Sequence, residues 1–283
     1  MMNRRRFMAA APVALSAWPA FARTADLRGL ERSCGGRIGL YARDLKTGAQ
    51  IAWRADERFA MCSTFKASLA AAVLARVDAG RERLDRVIPY GKADLLGNAP
   101  ATTAHVVEGG MRVGELCEAA VELSDNTAAN LLLAQIGGPQ AVTAFLRGEG
   151  DRITRLDRTE PSLNVFVPGD PRDTTTPRAM AGTLDRLLLG QVLSAASRER
   201  LKGWMLGCKT GDKRLRAGLP RSWSVADKTG TSGRGDCGDI AVTWRAPAEA
   251  VLICAYMSGA TVAVDAQEAA LAEIGRMVGR RFS

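Results

Sequence analysis

The apolar residues of this chain change their period twice along its length, and that ordering constrains the fold more than any other feature. From Arg37 to Leu45, Ile38, Leu40 and Ala42 alternate with residues of exposed type. Lys46-Thr47-Gly48 then turns the chain into a second short run through Ile51 and Trp53. A period of two closed by such a turn predicts a β-hairpin. From Thr64 the repeat lengthens: Phe65, Leu69, Val73 and Val77 recur every fourth residue until Asp78-Ala79-Gly80. This predicts an amphipathic helix stopped by a glycine. Val113, Leu116, Cys117, Ala120 and Leu123 mark a second helix, and Thr127–Ile136, Pro139–Leu146, Arg178–Leu189 and Ser194–Leu206 read as four more. The strand period returns in Trp223–Asp227, Ile240–Trp244 and Ala250–Met257, before a last helix carrying Leu271, Ile274 and Val278 on one face.

Strands at both ends with helices between predict an α/β fold of the α+β type. The two ends meet in one antiparallel sheet flanked by helices, and the middle forms an inserted all-helical subdomain. On this reading residues 23–60 and 207–283 make the α/β part and residues 61–206 the helical part. A small-molecule site is expected in the cleft between them.

Residues 1–22 stand apart. Arg4-Arg5-Arg6 precedes an uncharged stretch from Phe7 that closes on Ala20-Phe21-Ala22. A basic start, a short apolar run and small residues at its end predict an export signal. The arginines before Phe7 favour the twin-arginine route and a periplasmic or secreted destination. Of 39 basic residues the leader holds three, so 36 remain against 30 acidic ones, a net charge of +6. No basic run interleaved with aromatics accompanies that charge, so nucleic acid is not expected as a partner. No apolar run reaches the roughly 18–20 residues of a membrane span, and no anchor is expected after processing. The one histidine, His105, rules out a multi-histidine zinc centre. It reads as a structural hydrogen-bonder near a helix start. Neither a metal nor another cofactor is expected.

Chemistry concentrates in four segments. Ser63-Thr64-Phe65-Lys66 places a hydroxyl and an amine three residues apart at a predicted helix N-terminus, where free N–H groups and partial positive charge favour a developing anion. That pattern is common and carries little alone. Ser124-Asp125-Asn126 falls between two predicted helices, with Asp125 or Ser124 serving in part as an N-cap. Lys228-Thr229-Gly230-Thr231 follows one predicted strand and precedes another. A second Lys-Thr-Gly, Lys209-Thr210-Gly211, lacks a flanking strand, so Lys228 is preferred. Arg158, Glu160, Pro161, Leu163 and Asn164 lie in a long loop, residues 157–173, without helical or strand period.

Serine-x-x-lysine, Ser-Asp-Asn and Lys-Thr-Gly in this order resemble the signature of class A β-lactamases and penicillin-binding proteins. Arg158-Thr159-Glu160-Pro161-Ser162-Leu163-Asn164 is similar to the Ω-loop of the class A enzymes in particular. The resemblance implies a cofactor-free, monomeric hydrolase conferring antibiotic resistance by opening β-lactam antibiotics through an acyl-enzyme on Ser63. It implies an oxyanion hole from the backbone N–H groups of Ser63 and Thr231, and a proton relay through Ser124. Asn126 would hold the substrate's amide side chain, and Lys228, Thr229, Gly230, Thr231 and Arg214 would receive its carboxylate. Asn98 stands at the cleft entrance, where many members carry an aromatic residue. Glu160 and Asn164 would hold the hydrolytic water, and Arg158 and Asp173 would pair across the loop's ends. It leaves open whether Lys66 or Glu160 is the acylation base.

On the same fold, a DD-peptidase and an inactive β-lactam sensor are the alternatives. Glu160 argues against the first, because an acylated serine without a base for water is only a trap. The complete set of catalytic positions argues against the second. Cys62 matches half of a disulfide in some members, but Ser232 occupies the partner position and Cys237 lies five residues beyond. Cys117 matches half of another, whose partner position is Ala70, so it is expected to be unpaired.

Overall fold

The computed structural model describes residues 20–283, and the export leader falls largely outside the described residues. Five strands form one antiparallel sheet: β1 (Arg37–Asp44), β2 (Gln50–Trp53), β3 (Ser224–Thr231), β4 (Cys237–Trp244) and β5 (Ala250–Ser258). Their order is β2-β1-β5-β4-β3. The N-terminal hairpin and the C-terminal meander are joined along β1 and β5, in a register running from Arg37 opposite Ser258 to Asp44 opposite Val251.

The long helices are α1 (Ala20–Cys34), α2 (Phe65–Asp78), α3 (Val113–Glu122), α4 (Asn126–Ile136), α5 (Pro139–Gly148), α6 (Pro177–Leu188), α7 (Ala195–Leu206) and α8 (Val264–Phe282). Two apolar cores share the sheet. On one face Leu252, Cys254 and Tyr256 of β5 pack with residues of α2 to α7. On the other, Val251, Ile253, Ala255 and Met257 pack with Leu27 of α1 and Leu271, Ile274 and Val278 of α8. Both faces of β5 are therefore buried, which explains why its sequence is a continuous apolar run.

Two expectations change. The α2 segment was expected to be amphipathic, yet every residue from Phe65 to Leu74 is buried. Its extra face is alanine: Ala67 and Ala70–Ala72 let neighbouring helices approach closely. The strands expected at Trp223–Asp227 and Ile240–Trp244 are longer, because β3 runs through Thr231 and β4 starts at Cys237. The added residues include Lys228, Gly230, Gly238 and Asp239, which do not read as strand formers. Gly238 is required by packing, since a β-carbon there would stand 2.5 Å from the Tyr256 ring.

Candidate active site

Ser63 lies in a single 3₁₀ turn, Cys62–Thr64, that leads directly into α2. It is thus one step outside the helix start expected from the sequence. Cys62 has a positive φ of 45°. Thr64 Oγ1 fixes the turn by donating to Met61 O at 2.8 Å and lying 3.1 Å from the Tyr256 hydroxyl.

Lys66, in the first turn of α2, has no exposed surface. Its Nζ donates to Asn126 Oδ1 at 2.6 Å and to Ser124 O at 2.8 Å, and stands 3.1 Å from Glu160 Oε1. Burial pushes the amine's pKa down, and the Glu160 carboxylate opposes that shift. Ser63 Oγ donates to the same oxygen, Glu160 Oε1, at 3.2 Å. Hydroxyl, amine and carboxylate therefore converge on one atom.

Ser124 adopts a left-handed conformation, φ 57°, at the corner between α3 and α4. Such a conformation persists in a serine only where its surroundings enforce it. Asp125 supplies much of that enforcement. Its Oδ1 caps α4 by accepting from Ala128 N at 2.9 Å, and its Oδ2 accepts from Thr102 N at 3.0 Å. Asn98 Nδ2 donates to Ser124 O at 3.0 Å, so the residue at the cleft entrance also braces this corner.

Glu160 is held from three sides. Its Oε2 accepts from Asn164 Nδ2 at 2.6 Å. Its backbone is clamped by Asn130, which accepts from Glu160 N at 3.0 Å and donates to Glu160 O at 2.8 Å. Asn130 was not among the residues picked out from the sequence. Its signal was its place one helical turn beyond Asn126, on the same side of α4. Arg158 and Asp173 form an ion pair across the ends of the loop. Asp173 Oδ1 also accepts from the backbone of Asp157 at 2.7 Å and of Arg158 at 2.9 Å.

The opposite wall is β3, the edge strand of the sheet. A β-carbon on Gly230 would lie 2.7 Å from Met61 O and 2.9 Å from Ser63 N, so only glycine lets this strand touch the Ser63 turn. Lys228 is fully buried, with Nζ donating to Thr229 O at 2.8 Å, and burial lowers its pKa to about 8. Arg214 braces the strand end through Gly230 O at 2.9 Å, Gly238 O at 3.0 Å and Thr231 Oγ1 at 2.7 Å. Glu268 lies 3.3 Å from its guanidinium. Within β3 and β4, burial raises the pKa values of Asp227 and Asp239, although Arg216 pairs with Asp227.

The two walls enclose a cleft of about 590 Å³. Ser63, Asn98, Ser124, Asn126 and Asn164 line one side, and Arg214, Thr229, Gly230 and Thr231 the other. Lys209 and Thr210 line it as well, although that Lys-Thr-Gly was set aside for want of a strand. A hydrogen bond between the hydroxyls of Thr210 and Thr229 brings it there, a contact between residues far apart in sequence. His105 lies elsewhere, on an exposed turn 2.8 Å from Glu108. The six cysteines are all buried free thiols.

The family model described as "Beta-lactamase enzyme family" matches residues 22–282. Beta-lactamase L2 of Stenotrophomonas maltophilia is 45% identical, over 99% of either chain. Among solved structures, an ancestral class A β-lactamase of Gram-negative bacteria superposes with a TM-score of 0.88 at 59% identity, covering 91% of this chain and 99% of that one. The putative class A β-lactamase PenP of Rhodopseudomonas palustris gives 0.88 at 52% identity, covering 92% and 99%. With this similarity running the length of the fold and the site, the chain belongs to the β-lactamase enzyme family and, within it, to the class A serine β-lactamases.

Proposed function

We propose that the protein hydrolyses the β-lactam ring of penicillin- and cephalosporin-type antibiotics through an acyl-enzyme on Ser63, and so confers resistance. The observation that carries this reading is the meeting of Ser63 Oγ and Lys66 Nζ on Glu160 Oε1 at 3.2 and 3.1 Å. In this geometry Glu160 is the acceptor of the serine proton, and the Lys66 amine steadies the carboxylate. The oxygen attacks the lactam carbonyl, and the backbone N–H groups of Ser63 and Thr231 stabilise the oxyanion. The C–N bond then breaks as Ser124 passes its proton to the departing nitrogen. The proton taken up by Glu160 crosses through Lys66 Nζ, 3.1 Å from Glu160 Oε1 and 3.5 Å from Ser124 Oγ, restoring the Ser124 hydroxyl and the Glu160 carboxylate. Thr229, Thr231 and the positive charge of Lys228 and Arg214 hold the substrate carboxylate, and Asn126 its amide side chain.

Deacylation uses the same carboxylate. Asn164 Oδ1 is buried without a hydrogen-bond partner among the described residues, beside the Nδ2 group that holds Glu160. An acceptor in that position orients a water for Glu160 to deprotonate. The water attacks the ester, and its proton returns through Glu160 to Ser63 Oγ. The arginine-led N-terminus supports export to the periplasm by the twin-arginine route, where the mature chain acts as a monomer.

Intact-protein mass spectrometry after mixing with benzylpenicillin tests the mechanism. Ser63→Ala should show no adduct and no turnover. Glu160→Gln removes the carboxylate that favours the protonated Lys66 amine, so Lys66 should take the serine proton at a reduced rate, and an adduct of penicillin mass should accumulate that the wild type does not retain. Turnover by Glu160→Gln at the wild-type rate overturns the mechanism, and a long-lived adduct on the wild type would make the protein a penicillin-binding peptidase.

A further inference from the structure

Among the described residues lining the cleft, one positive charge is neither used by this mechanism nor paired with a carboxylate. Lys209 lines the rim, is exposed, and makes no side-chain ion pair among the described residues. Its cationic neighbours are compensated: Arg214 by Glu268 at 3.3 Å, and Lys213 by Asp265 at 3.5 Å. Asp212 is engaged with Arg216 at 3.2 Å. Glu122, whose carboxyl feels the Lys209 charge, packs against Gly207 instead of pairing with it.

The backbone beneath Lys209 is anchored at two points. Lys209 N donates to Glu122 O at 2.9 Å, and the next residue, Thr210, is hydrogen-bonded through its hydroxyl to Thr229. A lysine with an exposed side chain is thus anchored through its backbone beside the strand that receives the substrate carboxylate. In a cephalosporin that carboxylate is on C4, and the neighbouring C3 carries the variable substituent. A substituent one ring atom from a carboxylate held on Thr229 and Thr231 is within reach of the rim that Lys209 and Thr210 line, since Thr210 is hydrogen-bonded to Thr229.

We propose that Lys209 is a specificity residue that selects cephalosporins whose C3 substituent carries a negative charge. This rests on the β-lactamase reading above. An ammonium this exposed is screened by water and salt, so the discrimination is modest, about threefold to fivefold in kcat/KM.

The test uses three cephalosporins that share their C7 group and differ at C3: a sulfonate or carboxylate, a neutral group and a pyridinium cation. Steady-state kcat/KM is measured for the wild type, Lys209→Gln and Lys209→Arg at low and high salt. The ratio of anionic to neutral substrate should fall about threefold in Lys209→Gln, persist in Lys209→Arg and shrink in the wild type at high salt. The pyridinium substrate should gain on the neutral one in Lys209→Gln. A ratio unchanged by Lys209→Gln overturns the proposal, and so does an equal fall for all three substrates. Failure of the wild type to hydrolyse the neutral cephalosporin would instead overturn the function on which the proposal rests.

Discussion

Lys228 is a cation without water. It has no exposed surface, and the positive charges of Lys66 and Arg214 add to the desolvation that brings its pKa to about 8, against the pull of Asp227. A lysine binds an anion only while protonated, so its contribution is complete below pH 8 and is lost as pH rises through 8. The loss belongs to the free enzyme, since a bound carboxylate would hold the proton on. It therefore enters kcat/KM through a rising KM rather than through kcat. The expected pH profile has an alkaline limb near 8, and Lys228→Arg, which cannot deprotonate in this range, should move that limb upward. A limb that does not move in the arginine variant would overturn the assignment of this titration to Lys228.

At the scale of elements, activity depends on how closely β3 meets the turn before α2. Gly230→Ala would place a β-carbon against Met61 O and Ser63 N, both backbone atoms that cannot rotate aside. Displacing the strand by a few tenths of an ångström to an ångström should lower acylation about 100-fold, read as the rate of adduct formation with benzylpenicillin. Thermal unfolding should change far less, because the register of β3 on β4 survives. The 157–173 loop is a second such element. Arg158→Ala leaves the Asp173 carboxylate buried with fewer donors, at a cost of about 1–3 kcal/mol. Urea denaturation should show that loss, together with slower deacylation as Glu160 loses its fixed position. These elements also divide what was legible in the sequence from what was not. Ser63, Ser124, Glu160 and Lys228 were readable because each sits in a short motif whose spacing is local. Asn130, Thr102 and Thr210 were not, since their partners lie 19 to 30 residues away and pairing at that range leaves no period in the sequence. The two strands read too short failed for a related reason. Their missing residues are buried polar groups and glycines demanded by the site and by Tyr256, not by strand propensity.

The whole molecule is built on a sheet that neither end of the chain completes alone. β1 and β5 are neighbours although about 200 residues separate them, and β5 is the shared wall of both apolar cores. The active-site strand β3 is two strands from β5, on a sheet whose far face is covered by α8. Ile274 of α8 is fully buried in that outer core and does not line the cleft. Ile274→Ala should cost about 2–4 kcal/mol through lost burial and the cavity left behind. Removing the outer core strips one face of β5, and the inner core cannot keep its wall, so the two should unfold together. Tryptophans report both sides, Trp223 and Trp53 in the outer core and Trp204 and Trp244 in the inner. In urea, fluorescence and nitrocefin hydrolysis should fall at one midpoint in the wild type, and at one lower midpoint in Ile274→Ala with an unchanged m-value. Below that midpoint the variant's kcat/KM should match the wild type. A first fluorescence transition that leaves hydrolysis intact would show that the cores are independent, and that the sheet does not couple the outer core to the site.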